Sequence, residues 1–363
     1  MSPLFHRLRP LALLVALGLP VSAIAEAVDP QANDPAFLQS ELKPLASRAL
    51  LIDLIRTPAG IFAVGERGIL LRSTDNGASW QQLRLPTRLM MTSIAAADGE
   101  LWVAGHGGQI LRSSDQGETW TRQRVDLWTP EALDLNAGAP ILDLAFLDAN
   151  RGFAVGAFGL LLRTVDGGQN WEPIALPAPP EEAEPVVAAD EQTNDWLFSA
   201  EDLELDEETD PHLNAIAVTS EGALFIAGER GALFRSRDGG AQWERLDFPY
   251  DGSMFGLLSW PGGQILAFGL RGNAFESFDD GASWSRLDTG GEITLQGGVA
   301  LAGGGALLVG NEGRMLRRSD AASPLQSQVF ETAAGETPAL SGALPVEGGF
   351  ILIGEKGVGV HAF

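Results

Sequence analysis

One eight-residue pattern recurs five times along the chain and constrains its fold more than any other feature. Residues 113–120 read Ser-Ser-Asp-Gln-Gly-Glu-Thr-Trp, which has the form Ser/Thr-x-Asp-x-Gly-x-Ser/Thr-Trp. The Asp side chain can accept hydrogen bonds from nearby backbone amides, and Gly adopts the positive φ that a tight turn requires. The Trp then begins the next strand with a large apolar surface. Each octet therefore predicts a turn that closes a β-hairpin.

The other four octets occupy residues 73–80, 164–171, 236–243 and 277–284. The third position is an aspartate in every copy: Asp75, Asp115, Asp166, Asp238 and Asp279. We predict that these aspartates form turns, because a catalytic site needs one constellation of residues and not five copies of it. The octet resembles the Asp-box repeat of bacterial neuraminidases, and it is called the Asp-box below. The Trp that ends each box is expected to pack between neighbouring repeats.

A second motif precedes each box and sets the period of the repeat. An apolar pair leads into Gly-x-x-Gly and then into an apolar run that ends in Arg, as in residues 63–72. The first Gly of this motif recurs seven times: Gly65, Gly105, Gly156, Gly228, Gly269, Gly310 and Gly354. Four short strand-like stretches fit within each period of about forty residues, which is typical of a β-propeller. We predict an all-β, seven-bladed β-propeller with four-stranded antiparallel blades.

The seventh repeat stops before its fourth strand. We expect residues 37–45 to supply that strand, so that the ring is closed by N- and C-terminal strands and leaves no open edge. Because strands alternate in direction, the Gly-x-x-Gly loops and the blade connectors should share one face, with the Asp-box turns on the other. Two connectors are long, at residues 121–140 and 172–212, and should lie side by side on the Gly-x-x-Gly face.

Residues 1–25 have the features of a cleavable signal peptide: a basic start, an apolar run at 11–21 and a small-x-small site at 23–25. The folded domain would then be residues 26–363, in the periplasm or another exported location, without direct membrane insertion. The chain contains no Cys, which excludes disulfides and lipid attachment through a cysteine. Its formal net charge of −24 disfavours nucleic acid as a partner.

An acidic insertion at about residues 178–212 lengthens the second of these connectors. Residues 181–210 carry 13 acidic side chains and no basic one. A block of this density is more often solvated than packed. Apolar residues at 196–198, 203 and 205 leave open a second interpretation, in which the insertion binds a partner or covers the central channel.

Enzymatic and metal-binding patterns are weak. Sialidases with Asp-boxes use a Tyr nucleophile, whereas this chain has a single Tyr, Tyr250, at the start of a blade connector. Asp-box endoglucanases use two carboxylates across a cleft that two propellers typically build. The histidines lack the spacing of metal ligands, and the acidic insertion lacks that of a calcium loop. We therefore expect no catalytic residues, no cofactor and no metal.

Basic residues form two sets. In the first set, an Arg ends the third strand of most blades, and Glu276 stands at this position in blade five. The regular spacing of these arginines favours pairing with acidic residues of neighbouring blades. Its members are Arg72, Arg112, Arg163, Arg235 and Arg317. The second set lies in the Gly-x-x-Gly loops of blades one, four, five and seven and comprises Arg67, Arg230, Arg271 and Lys356. It is either a solvated rim or a recognition surface, since Arg suits carboxylate and interface contacts.

The combined motifs, best seen at residues 64–73 and 104–113, resemble those of the photosystem II assembly and stability factor family over residues 45–363. The resemblance implies a non-enzymatic propeller that binds a subunit of a membrane complex through an arginine-rich patch. The matching positions here are Arg67, Arg72, Arg112, Arg230 and Arg271. Proteobacterial members are associated with resistance-nodulation-division (RND) exporters. We thus expect a periplasmic accessory factor for a membrane protein complex, such as an RND exporter; the alternatives are a glycan-binding propeller or an Asp-box glycoside hydrolase.

Overall fold

A computed structural model describes residues 33–129, 137–178 and 210–362. The predicted signal peptide and nearly all of the acidic insertion lie outside these residues. Seven antiparallel sheets follow one another along the chain, and each contacts the next through its first strand. The first strand of blade one also contacts the first strand of blade seven, which completes a ring. The predicted seven-bladed β-propeller is thereby confirmed.

The strands of the first four blades are as follows. Blade one comprises β1 (Leu51–Thr57), β2 (Gly60–Gly65), β3 (Leu70–Ser73) and β4 (Gln81–Leu83). Blade two comprises β5 (Met91–Ala97), β6 (Glu100–Gly105), β7 (Ile110–Ser113) and β8 (Thr121–Arg124). Blade three comprises β9 (Ile141–Phe146), β10 (Gly152–Gly156), β11 (Leu161–Thr164) and β12 (Glu172–Pro173). Blade four comprises β13 (Leu213–Val218), β14 (Leu224–Gly228), β15 (Leu233–Ser236) and β16 (Glu244–Arg245).

The remaining blades follow the same order. Blade five comprises β17 (Met254–Trp260), β18 (Gln264–Gly269), β19 (Ala274–Ser277) and β20 (Ser285–Arg286). Blade six comprises β21 (Leu295–Ala300), β22 (Gly304–Gly310), β23 (Arg314–Asp320) and β24 (Gln326–Val329). Blade seven comprises β25 (Leu340–Val346), β26 (Gly349–Gly354) and β27 (Gly357–Ala362). Single 3-10 turns lie at Ala46–Arg48, Glu66–Gly68, Leu270–Gly272 and Asn311–Gly313.

Second strands form the centre of the core because they are apolar on both faces, as expected for a strand with a blade on each side. Each second strand ends at a Gly, and the residue three positions before that Gly has a large, fully buried side chain. In blades one to four these are Phe62, Trp102, Phe153 and Phe225. A Cβ added to the Asp-box Gly of the next blade would meet each of these rings, as Gly117 shows against Phe62. The Asp-box glycine is therefore required both for its turn and for close packing between blades.

The Asp-box tryptophans also pack against the preceding blade. Trp120, for example, contacts the cluster around Phe62, and Trp243 stands edge-on to Phe153 at 6.0 Å. In three boxes the indole N–H donates to the carbonyl of the box Gly, at 3.0 Å for Trp120. Sequence reasoning correctly assigned these residues to the contact between repeats.

The expected role of residues 37–45 in closing the ring was wrong. Within the described residues blade seven has three strands, and this N-terminal segment runs along the outside of blade one. Ser40 N–H donates to Leu85 O at 2.8 Å, and Arg84 and Arg88 donate to carbonyls of the segment. Its backbone groups are thus bonded to residues that follow β4 of blade one, and the segment adds no strand to blade seven.

Side chains close the ring instead of a shared strand. Ile351 and Ile353 of blade seven pack in one apolar cluster with Ile61 of blade one. Ser341 Oγ donates to Leu51 O at 2.8 Å, so the two innermost strands are also joined by a hydrogen bond. Closure therefore uses the same kind of contact that joins every other pair of blades.

Candidate functional site

The Gly-x-x-Gly loops of blades one to six share one turn, in which the third residue has a left-handed backbone. Its φ lies between 51° and 65° in every one of these loops. The residues at this position are Arg67, Gly107, Phe158, Arg230, Arg271 and Glu312. Left-handed backbone costs a residue with a Cβ about 1 kcal/mol or more, and Gly avoids that cost. The fold accepts Gly at this point, as Gly107 shows, so the other side chains are not required by the turn.

The predicted loop residues lie on this face, where all four are exposed. The side chain of Arg67 is 81% exposed, with Nε 4.0 Å from Glu66 Oε2. Lys356 differs from the arginines because β26 and β27 are joined by a two-residue turn, and its Nζ lies 3.1 Å from Glu336 Oε1. Arg67 and Lys356 come from neighbouring blades, as do Arg230 and Arg271.

Arg72 and Arg112 are not brought together with these loop residues. Each lies at the far end of its third strand, next to the Asp-box, with a side chain that is 17% and 24% exposed. Arg72 Nη1 is 2.6 Å from Glu118 Oε1 of blade two, and Arg112 Nε is 2.9 Å from Glu100 Oε2. They stabilise contacts within and between blades, and we place them outside the candidate interface.

A basic cluster beside blade one escaped the sequence analysis. Lys43 and Arg88 both pair with Glu41, and Arg88 Nη1 lies 2.9 Å from Glu41 Oε1. Lys43, followed by Arg88 and Arg67, holds the pKa of Glu41 below its usual range. The cluster was missed because residues 37–45 were assigned to blade seven, which moved Lys43 away from Arg67.

The described ends of both long connectors meet on the same face, next to Phe158. Arg124 and Asp126 from the first connector, and Ala178 and Asp210 from the second, line one groove of about 710 Å³. The ring of Phe158 stands edge-on to His212 at 5.0 Å. Both long connectors therefore reach the face that carries the loop arginines.

The Asp-boxes occupy the opposite face, and their aspartates are held in turns. Asp115 Oδ1 accepts from Ser113 Oγ at 2.8 Å and from Thr119 N–H at 2.9 Å, while Oδ2 accepts from Thr119 Oγ1 at 2.5 Å. These hydrogen bonds, that from the Thr119 hydroxyl first, lower the pKa of Asp115 to about 2. The same bonds from Ser79 and Ser283 lower the pKa of Asp75 and Asp279 to about 2.

Asp166 and Asp238 have the same arrangement with different donors. Asn170 replaces the hydroxyl residue beside Asp166, and its Nδ2 donates to Oδ2 at 2.7 Å. Asp238 accepts from the backbone N–H groups of Gln242 and Ala241. These bonds lower the pKa of both aspartates, with the backbone donors contributing most. The carboxylate oxygens of all five aspartates thus accept hydrogen bonds within their own turns. No two of these five carboxylates are placed together for acid–base catalysis.

Two half-buried carboxylates that line the central channel were also missed. Asp53 Oδ2 accepts from the N–H of Ile94 in blade two at 2.8 Å, and Asp143 Oδ2 from the N–H of Ile216 in blade four at 2.9 Å. Burial, reinforced by Asp143, raises the pKa of Asp53 to about 7, and burial raises that of Asp143 to about 6. Ser93 Oγ, between them, donates to Asp143 Oδ1 at 2.9 Å. The group joins blades one to four, and both carboxylates also line the cavity at the centre of the ring.

The described residues contain no cluster of three or more His, Cys, Asp or Glu side chains that could hold a metal ion. Over the same residues, no helix has the length and apolar character needed to cross a membrane. The candidate site is the Gly-x-x-Gly face, with its exposed rim of arginines, Phe158 and the connector ends.

Comparison with solved structures agrees with the fold. The chain superposes on a structure described as YCF48 bound to D1 peptide with a TM-score of 0.61 and 16% identity, over 91% of this chain and 98% of that one. A YCF48 from Cyanidioschyzon merolae gives a TM-score of 0.58 at 16% identity, over 89% and 97% of the two chains. At these identities the likeness shows the propeller architecture alone.

Comparison with characterised sequences identifies the family. A photosystem II assembly lipoprotein Ycf48 of Prochlorococcus marinus is 30% identical over 118 residues, which cover 28% of this chain and 35% of that protein. The photosystem II assembly protein Ycf48 of Thermosynechococcus vestitus is 27% identical over 38% of this chain and 44% of its own length. The aligned part thus spans less than half of either relative. A family profile described as photosynthesis system II assembly factor YCF48 matches residues 36–132, 123–195 and 190–357. The chain belongs to this YCF48 assembly factor family.

Proposed function

We propose that the protein is a non-enzymatic accessory or assembly factor that binds a membrane protein complex through its Gly-x-x-Gly face. The supporting observation is that blades one to six build the same loop there and vary the side chain at its exposed third position. Arg occupies it in three blades although Gly would be less strained. Retention of strained, exposed side chains is typical of positions kept for binding.

Electrostatics also favour this face as the interface. The whole chain carries a formal charge of −24, so its surface repels most anionic partners. Arg67, Lys43 and Arg88 cluster around blade one, with Lys356 in the next blade, and each of these cations also pairs with a glutamate. Guanidinium groups bind carboxylates and backbone carbonyls in well-defined geometry. A partner segment with acidic side chains or a free carboxylate fits this chemistry.

The partner class follows by analogy with the family. One member of this fold is described as bound to a D1 peptide, and the sequence relatives are named as photosystem II assembly factors. The signal peptide predicted at residues 1–25 supports a periplasmic location, which we propose for the present chain. We propose a cell-envelope complex, such as an RND exporter, as its partner there.

Partner capture tests this proposal. The tagged protein would be cross-linked in its native host, purified from the detergent-solubilised envelope and analysed by mass spectrometry. We expect one membrane complex to be enriched over a control with an unrelated tagged propeller. Recovery of polysaccharide, or of no envelope protein, would contradict the assembly role and favour the glycan-binding alternative.

The glycoside hydrolase alternative has little support in the described structure. Asp53 and Asp143, the half-buried carboxylates that line the channel, accept backbone N–H groups from neighbouring blades and serve as links between strands. A glycosidase needs one carboxylic acid and one carboxylate facing the substrate across a cleft. Hydrolysis of model glycosides by the purified protein, abolished in Asp53→Asn, would overturn this assignment.

A further inference from the structure

Blade seven differs from the other six blades because, within the described residues, it has three strands. In each of the other blades a short fourth strand pairs with the third and forms the outer edge of the sheet. The outermost strand of blade seven is β27, which reads Gly-Val-Gly-Val-His-Ala and contains no charged residue. Proteins usually protect an exposed edge strand with charges, Pro or a covering segment. The edge of β27 has no such protection of its own.

The complete blades show which backbone groups of β27 face outward. In blade four, Leu246 N–H of the outer segment donates to Leu233 O of the third strand at 2.8 Å, and blades three and five have the equivalent bond. Val358 stands at the position of Leu233, since each pairs with the residue before the Gly that ends the second strand. Backbone groups of alternate residues point to the same side of a strand. The N–H and C=O groups of Val358 and Val360 therefore face outward.

Within residues 33–129, 137–178 and 210–362, no hydrogen bond is made to these outward-facing groups. The 3-10 turn Ala46–Arg48 lies against the start of β27, where a Cβ on Gly357 would meet Ser47 O. The chain before this turn is already bonded along blade one, where Lys43 N–H donates to Gln82 Oε1 at 2.7 Å. The described N-terminal segment thus covers one end of the edge and leaves the rest open.

The side chain at the centre of the edge indicates which kind of strand fits. In blade four, Arg235 stands at the position of Val360, and its Nη2 lies 2.8 Å from Glu244 Oε1 of the fourth strand. Blade three has the same kind of pair, between Arg163 and Glu172. Val360 cannot form such an ion pair, and it is 61% exposed. A β-branched apolar residue directly opposite would cover it in a favourable cross-strand pair.

The next residue of an added strand would lie opposite Gly359. A Cβ on Gly359 would meet the ring of Phe330, which covers this side of β27 beside a cavity of about 250 Å³. Glu331 and Lys356 both line the cavity, so it favours neither sign of charge. In blade three the equivalent residue of the fourth strand is Pro173, which has no N–H. This residue of an added strand therefore needs no hydrogen bond to β27.

We propose that β27 accepts an extended segment of a partner polypeptide as the missing fourth strand. The segment runs antiparallel to β27 and places a β-branched apolar residue opposite Val360. Backbone pairing gives the affinity, and the residue opposite Val360 gives the preference. A second copy of this chain is a poorer occupant, because two molecules with a formal charge of −24 repel each other. The edge lies on the outer rim of the ring, so this interaction goes beyond the one proposed for the Gly-x-x-Gly face.

Blocked pentapeptides test the pairing. Acetyl-Thr-Thr-Val-Thr-Thr-amide places its central Val opposite Val360, and the amide NMR shifts of residues 358–361 in the purified full chain measure its affinity. N-methylation of the central Val removes an N–H that faces β27 and should weaken binding roughly fivefold, as the loss of one hydrogen bond gives. N-methylation of the fourth residue, opposite Gly359, is the matched control and should have little effect. Equal weakening by the two methyl groups, or no shift at residues 358–361, would overturn the proposal.

Variants at one position test the preference. The parent protein should bind the Val peptide about threefold more tightly than a peptide with a central Glu, and Val360→Arg, which restores the residue of blade four, should reverse this order. Val360→Pro removes an outward N–H that no described residue accepts and should weaken binding of both peptides, whereas Val360→Thr should retain it. An unchanged order in Val360→Arg would contradict the assigned register.

The oligomeric state tests the choice of occupant. Analytical ultracentrifugation of the parent protein should show no self-association that Val360→Pro removes. Such self-association would show that a second copy occupies the edge and would overturn the proposal of a partner segment. If Val360→Pro does not fold, the two N-methylated peptides still decide whether the edge pairs with a strand.

Discussion

The two faces of the ring use the same repeat in opposite ways. On the Asp-box face, five aspartates accept hydrogen bonds within their own turns, and the backbone N–H of the seventh box residue donates in each whether that residue is Ser, Thr, Asn or Gln. On the Gly-x-x-Gly face, the loop backbone is preserved while its exposed residue changes from Arg to Gly, Phe or Glu. The comparison teaches that repetition alone does not identify a functional residue. Function is expected where the backbone repeats and the side chain does not.

The largest expected effect concerns a buried ion pair near the Asp-box face. Glu276 replaces the usual third-strand Arg, and Arg318 of blade six pairs with it through both guanidinium nitrogens; the two side chains are 3% and 1% exposed. Glu276→Ala leaves a buried charge without its partner and should lower the free energy of unfolding by about 3–5 kcal/mol. Chemical denaturation measures this loss.

A matched double variant sharpens that test. Glu276→Leu combined with Arg318→Leu removes both charges and should recover most of the stability, because no buried charge is then left alone. If the double variant is as unstable as Glu276→Ala, the pair stabilises the ring by packing and not by charge.

The carboxylates at the two ends of the blades should respond oppositely to pH. Asp53 and Asp143 have raised pKa values of about 7 and 6, so the folded chain binds more protons than the unfolded chain between about pH 4 and 7. Their contribution to stability therefore falls as pH rises through that window, by an amount on the order of 2–4 kcal/mol for each aspartate. Asp115, with a pKa of about 2, loses its contribution as pH falls from about 4 towards 2.

Denaturation between pH 3 and pH 8 checks this prediction. Stability should be highest near pH 4–5, and Asp53→Asn should flatten the decline between pH 5 and 7. The variant itself will be less stable because an amide cannot accept both N–H groups that Asp53 accepts. An unchanged slope in Asp53→Asn would show that other groups cause the pH dependence.

Removal of one Asp-box hydroxyl should have a smaller effect. Ser113 is buried, donates to Asp115 and accepts from Gly117 N–H at 2.9 Å. Ser113→Ala leaves that N–H unsatisfied and should cost about 1–3 kcal/mol. Ser73→Ala in blade one, where Gly77 N–H donates at 2.8 Å, is the matched control and should cost the same. Unequal losses would show that the two boxes are not equivalent.

The smallest effect on stability is expected on the other face. Arg67→Gly, Arg230→Gly and Arg271→Gly relieve a left-handed backbone that Gly already adopts at Gly107. Each should change the free energy of unfolding by about 0–1 kcal/mol in the stabilising direction. The triple variant should fold as well as the parent and still lose partner capture. A clear loss of stability would mean that the fold itself uses these arginines.

Most of the architecture could be predicted because each blade repeats the same local sequence pattern. The turn chemistry of the boxes and the apolar second strands gave blade number, strand order and the face of each loop. The path of residues 37–45 could not be predicted, since their docking depends on side chains far along the chain, such as Arg84 and Arg88. An apolar segment next to a repeat carries no signal of which blade will bind it.

Contacts between blades were the second limit. Glu276 was recognised as an exception in its repeat, yet its partner is Arg318, next to the regular Arg317. The paired change, an acid in one blade and an extra Arg in the next, was a usable signal. Asp53 and Asp143 had no such signal, because their bonds go to backbone N–H groups that are the same in every blade.

Partner capture with two charge-reversed proteins tests the central claim most directly. Arg67, Arg230 and Arg271 would be changed to Glu in one protein. In the control, Arg151, Arg237 and Arg286 would be changed to Glu; Arg151 lies on an Asp-box-side turn, Arg237 within a box and Arg286 two residues beyond one. Both proteins carry the same change in net charge and should remain folded by circular dichroism. We predict that the first loses capture of its envelope partner at least tenfold and that the second retains it. Equal capture by both proteins would contradict the assignment of the Gly-x-x-Gly face.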